Sequence, residues 1–229
     1  MLHLFYRRGN AYSEAIVHPN KSRNILVAQK TMFDINLPAL ALFAFVTSVT
    51  PGPNNLMLLA SGANFGFRAS IPHLLGISTG VLILLASVGL GLAELFSLWP
   101  WAEVAMKWIG ALYMIYLAWR IARASPPDGS AVRESRPMRY IGAFAFQWVN
   151  PKLWLMALSV FSVYVPGSGG FSLVLAVAAL FSLINLPTIS VWALGGARLR
   201  HLLTEQGRVK VFNLTMAALL LATLWPMLR

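Results

Sequence analysis

The stretch TSVTPGPNNLMLLASG, Thr47–Gly62, decides the fold. It sets two prolines, a glycine and two asparagines between apolar residues that continue in both directions. Those flanks belong to a chain in which 58% of 229 residues are hydrophobic and 11% are charged, with no cysteine. A soluble domain carries roughly 25% charged residues, so half that share leaves too little polar surface to keep a globule in water. The absence of cysteine excludes disulfides and thiolate metal sites. The poor helix formers of PGPNN therefore sit where a bilayer-spanning helix is expected.

Six apolar runs follow one another, at about 37–60, 71–98, 104–122, 141–165, 171–197 and 209–228. Their lengths suit membrane spans. Trp99, Trp101, Trp119 and Trp225 cluster near run ends, as in an interfacial belt. A second interruption, QWVNPKLWLMAL, lies in the fourth run, and NLP at 185–187 is read as a third break, in the fifth. The expectation is an all-α membrane protein of six transmembrane helices, in two inverted three-helix halves at about 37–122 and 141–229, each opening with a broken helix. Residues 37–229 are expected to form a single transmembrane domain. Residues 1–36 are basic and aperiodic and lack the apolar core of a signal peptide. They read as a disordered extension or a mis-assigned start, with Met32 as the true first residue; a basic arm on lipid or a partner is the alternative.

The net charge of +11 would point to nucleic acid in a soluble protein. Here it sorts by side. Connectors after runs one, three and five hold Arg68, then Arg120, Arg123, Arg133, Arg136 and Arg139, then Arg198, Arg200, Arg208 and Lys210. The other face holds Lys107 and Arg229 outside the extension. The positive-inside rule makes the arginine-rich connectors cytoplasmic and puts both ends of the domain outside. Five spans with a cytoplasmic N-terminus is the competing topology.

Proline removes a backbone donor and clashes with the preceding turn. In lipid the freed groups must be satisfied by protein or by a wet cavity. The first run thus reads as two half-helices joined at Pro51, Gly52, Pro53, Asn54 and Asn55. Pro53 suits a first helical position, and the asparagines can cap that end or meet a solute. A half-helix N-terminus attracts a carboxylate. The second break repeats the logic, with Asn150 as cap and Pro151 as first residue. Paired broken helices in inverted halves point to a transporter site near the midplane, whereas a packing kink is the alternative for either break alone. Lys152 is the basic residue set inside a run, as a countercharge for a substrate carboxylate or a side chain snorkelling to the interface. Ser78 and Thr79 in GISTG lie on a small-residue packing face, with solute contact as the second reading. His73, Glu94 and Glu103 read as interfacial.

No visible mid-membrane acid would pair a cationic substrate, which favours a small neutral solute; cation–π contact with Trp148 or Trp154 keeps a basic one open. A passive channel of the same fold is the other alternative. A serine protease would rest on Ser61 and His73, whose placement argues against it. No phosphate loop, paired catalytic acids or histidine cluster appears, so neither an enzyme nor a cofactor or metal is expected.

The blocks TPGPNNLMLLASG, FGFRAS, GISTG, WIGALYMIYLAWRIA and FQWVNPK, in this order and spacing, resemble the LysE/RhtB family of bacterial amino-acid exporters. The resemblance covers residues 37–229. It implies secondary-active efflux of an amino acid across the inner membrane, with the proton as coupling ion. It carries Pro51, Gly52, Pro53, Asn54, Asn55, Asn150, Pro151 and Lys152 over as motif residues. Nucleic acid is not an expected partner, and a homo-oligomer is left open.

Overall fold

The structure, a computed structural model, describes residues 36–92, 94, 98–124, 136–165, 170–203 and 205–225. The extension up to residue 35, Arg133, Arg229 and the Glu103 side chain lie outside the described residues.

Among the described residues the chain is all-helical, with eight helices: α1 Leu37–Val49, α2 Pro53–Phe65, α3 Phe67–Gly89, α4 Pro100–Ala122, α5 Tyr140–Gln147, α6 Pro151–Val163, α7 Phe171–Leu199 and α8 Gln206–Ala222. Eight arise from six runs because the first and fourth are each cut in two. Proline takes the first position of α2, α4 and α6, where its missing N–H costs nothing. The second run starts four residues earlier than the hydropathy implies, at Phe67, and its helix ends at Gly89.

The third break, at NLP, is overturned. The 29-residue helix α7 runs through Asn185 and Pro187 uninterrupted. Pro187 forfeits one helical bond, but the turns around it are braced. The Thr188 hydroxyl donates to Ile184 O at 2.6 Å and the Ser190 hydroxyl to Leu186 O at 2.7 Å. Such local compensation is how membrane helices tolerate proline.

Helix α7 packs along α1, α2 and α3. Asn185 meets Ser48 and Trp192 meets Val49, and Gly62 lies against the Ala193 carbonyl. Residue numbers rise together on both sides, so α1 and α2 form one interrupted path parallel to α7. Gly196 in turn lies against the Leu59 carbonyl. A side chain at either glycine would collide with backbone, so small residues set this close crossing. Helix α3 runs against α7, since Ser78 meets Ser182 while Gly89 lies by Val174. It runs with α5 and α6, from Gly76 on Tyr140 to Gly89 on Phe161. Helix α8 runs against α2, with Asn213 on Asn64 and Leu220 clustered with Met57. Runs one and five thus point one way, and runs two, four and six the other.

Three contacts bring the basic connectors to one end. Gly66, between α2 and α3, lies by the Arg200 guanidinium at the end of α7. Arg120 donates to Arg136 O at 2.9 Å across the α4–α5 connector. Asn213 donates to Ala124 O at 2.7 Å. Helices α3 and α7 are long and apolar enough to cross a membrane; α1 and α6 are shorter apolar helices.

Candidate functional site

A broken helix exposes the last carbonyls of its first half, and here side chains satisfy them. Asn55 Nδ2 donates to Ser48 O and to Thr50 O, both at 2.8 Å. Trp192 Nε1 donates to Val49 O at 3.2 Å, and the Thr50 hydroxyl to Thr47 O at 2.9 Å. Lys152 Nζ donates to Thr50 O at 2.8 Å and Thr50 Oγ1 at 2.9 Å, and reaches Pro51 O at 3.5 Å. The ammonium therefore sits at the negative end of the α1 dipole. Gly52 makes room for it: a Cβ there would lie 2.8 Å from Lys152 Cδ and 3.1 Å from Nζ.

The second break meets the first. Asn54 and Gln147 exchange amide bonds, Asn54 Nδ2 to Gln147 Oε1 at 2.8 Å and Gln147 Nε2 to Asn54 Oδ1 at 3.1 Å. Each residue following a helix-starting proline, Asn54 after Pro53 and Lys152 after Pro151, thus reaches the end of the other path's first half-helix. Trp154 Nε1 closes the second break locally on Trp148 O at 2.8 Å. Neither α2 nor α6 has a side-chain cap at its N-terminus.

The expectation that Asn150 caps α6 is therefore corrected. It occupies the cap position, but its side chain makes no cap bond, and its buried Oδ1 has no partner. The backbone at this position is extended (φ −87°, ψ 106°), and the residue lines the cleft between the breaks.

That cleft is a cavity of about 30 Å³, lined by Thr47, Ser48, Gly52, Asn54, Asn55, Val81, Asn150, Lys152, Leu153, Met156, Asn185 and Ile189. It brings together Gly52, Asn54, Asn55, Asn150 and Lys152 from the sequence-derived set. Pro51, Pro53 and Pro151 shape the two breaks. Ser78 and Thr79 are not part of it. Ser78 and Ser182 hydroxyls lie 2.9 Å apart, and Ser182 also donates to Ser78 O at 2.8 Å, so they pin α3 to α7. The Thr79 hydroxyl pairs with Tyr140 on another face of α3, 2.9 Å away. No carboxylate lines the cavity among the described residues.

Sequence reasoning missed Asn185, Ser48, Thr50 and Trp192, because their role is fixed by which carbonyl or hydroxyl lies opposite. The signal for Asn185 was present in NLP but read as a breaker. His73 is 1% exposed and enclosed by the helices around α3, a burial that its place early in a run did not announce. Neither ring nitrogen has a partner.

The family model of the LysE type translocators matches residues 45–223. The cysteine/O-acetylserine efflux protein of Shigella flexneri serotype 5b (strain 8401) is 34% identical over 193 residues, covering 82% of this chain and 95% of the relative. That of Escherichia coli (strain K12) is 34% identical over 188 residues, covering 80% and 93%. No solved structure matches.

Proposed function

The chain belongs to the LysE type translocator family of membrane proteins, and on that premise we propose that it exports a small neutral amino acid of the cysteine or O-acetylserine kind. The relatives' names supply that substrate class. Export runs from a bacterial cytoplasm across the inner membrane and is driven by the proton gradient. The six runs are six spans in two inverted halves, and the arginine-rich end is cytoplasmic.

One observation carries this reading: the two helix breaks converge on a single polar cavity inside the bundle. Two oppositely directed, interrupted paths whose interruptions meet are the arrangement of inverted-repeat carriers. The crossed contacts, Asn54 to Gln147 and Lys152 to Thr50, support the symmetry. The uncapped N-terminus of α2 and the Lys152 ammonium offer a carboxylate two sources of positive charge. A cavity without a carboxylate favours a neutral over a basic amino acid. Its small size supports a carrier that encloses its solute over an open channel, and it requires the breaks to part as the solute enters.

The test is overexpression in a bacterial host with mass spectrometry of the medium. Accumulation of cysteine, O-acetylserine or a similar small neutral amino acid, above a vector control, is expected. An unchanged medium at confirmed membrane expression refutes the reading, and selective loss of lysine or arginine from the cells replaces it with the basic-substrate alternative.

A further inference from the structure

We infer that Asn150 and Asn185 accept hydrogen bonds from the substrate's α-ammonium group, so that the cavity between the breaks reads the cationic pole of a zwitterion. This rests on the export reading and adds to it a recognition residue, Asn185, and a direction for the bound solute.

Both asparagines line the same cavity. Asn150 is 2% exposed and Asn185 4%. The Oδ1 of each is buried without a hydrogen-bond partner. Leaving one such acceptor unpaired costs about 1–3 kcal/mol, and buried polar atoms are otherwise paired in the great majority of cases. Two residues with unpaired acceptors thus line one small space, Asn150 at the N-cap of α6 and Asn185 within α7, and one shared donor would satisfy both.

The neighbouring atoms say which kind. Asn185 is anchored through its other end, Nδ2 donating to Ser48 Oγ at 2.9 Å, so its oxygen is the free group. Asn150 is fixed by its backbone, whose carbonyl accepts from Leu153 N at 3.1 Å and Trp154 N at 3.3 Å. Two bare oxygens repel a carboxylate and gain nothing from a methyl group or a thioether. An ammonium carries three donors and no acceptor. The volume of about 30 Å³ suits that one group, the remainder of the solute lying toward Lys152 once the breaks part. Neutral amides hold an ammonium more weakly than a carboxylate would, which suits a carrier that must release its cargo.

The test uses the full chain in proteoliposomes and counterflow uptake of radiolabelled cysteine, with unlabelled cysteine or 3-mercaptopropionate, its analogue lacking the ammonium, as competitor. The wild type is expected to prefer cysteine. Asn185→Leu should weaken cysteine about ten- to a hundredfold, the worth of hydrogen bonds to a charged group, and leave 3-mercaptopropionate where it was. Asn185→Asp should restore the preference, since it keeps an acceptor. If Asn185→Leu does not reach the membrane, Asn150→Ala carries the same expectation. An equal loss for both competitors, or an undiminished preference in the variant, overturns the inference while export stands. A wild type that takes up cysteine without preferring it to 3-mercaptopropionate does the same. A wild type that takes up neither cysteine nor O-acetylserine overturns the export reading and this inference with it.

Discussion

Gly52→Ala and Lys152→Met should do the same damage, and doing both should do little more. The Lys152 ammonium ties the second break to the first through Thr50 O and Oγ1. Removing a charged donor of this kind costs about 1.5–3 kcal/mol. Thr50 O keeps its bond from Asn55 at 2.8 Å, and only the long 3.5 Å contact to the exposed Pro51 O goes unreplaced, so about 2 kcal/mol is expected. Methionine retains most of the stem packing. An alanine at 52 places its Cβ 2.8 Å from Lys152 Cδ, which forces the stem aside and breaks the same two bonds. Each single variant should lower the melting temperature of the solubilised protein by about 4–8 °C, from roughly 2–4 °C per kcal/mol for a chain of this size. The double variant should fall by a similar amount rather than twice it, because neighbours that share one interaction are not additive. Lys152→Arg should recover part of the stability, as the guanidinium is broader than the ammonium it replaces. Thermal unfolding and amino-acid export are read on the wild type and the four variants at matched expression. Additive losses, or a Gly52→Ala variant that exports and melts like wild type, would refute the claim that Gly52 exists to admit Lys152.

Asn55→Ala removes both 2.8 Å bonds to Ser48 O and Thr50 O and leaves Ser48 O unpaired in a 3%-exposed site, so a loss of about 2–4 kcal/mol is expected in thermal unfolding. Asn55→Asp, which has no donor, should be no better. His73→Leu removes two unpartnered nitrogens from a fully enclosed site at similar volume, and the melting temperature should hold or rise; a clear fall would mean that the ring has a stabilising partner. A single cysteine at Arg200 should react with membrane-permeant reagents alone in intact cells, while one at the exposed Leu98 should also react with an impermeant reagent, and the reverse pattern would invert the topology.

Both breaks were legible in the sequence because proline acts locally. Pro53 and Pro151 cannot donate a helical bond, and each starts a new helix. The same reasoning failed at Pro187, where Thr188 and Ser190 and the packing of α1–α3 keep α7 continuous. The bonds that Asn55 and Lys152 make were not legible. Beside a solute-facing role the sequence allowed a cap for Asn55 and a snorkelling side chain for Lys152, whereas both donate to carbonyls that the first break frees, about a hundred residues away in the case of Lys152. Asn54 pairs with the Gln147 side-chain amide, 93 residues away. The enclosure of His73 was not legible either, because it depends on which helices pack around position 73 and not on its place in the apolar run. Periodicity shows which positions break a helix; which groups then meet depends on how separate paths cross.

A solute bound in the cavity between the two breaks would shield a thiol on its wall. The chain has no cysteine of its own, so Ser48→Cys places one thiol on the cavity wall with little change in size. Alkylation by a small methanethiosulfonate reagent is followed in proteoliposomes, with and without saturating O-acetylserine, and transport is measured on the modified protein. The account predicts that O-acetylserine slows the modification and that the modified protein no longer transports; an unchanged alkylation rate with transport intact would contradict it.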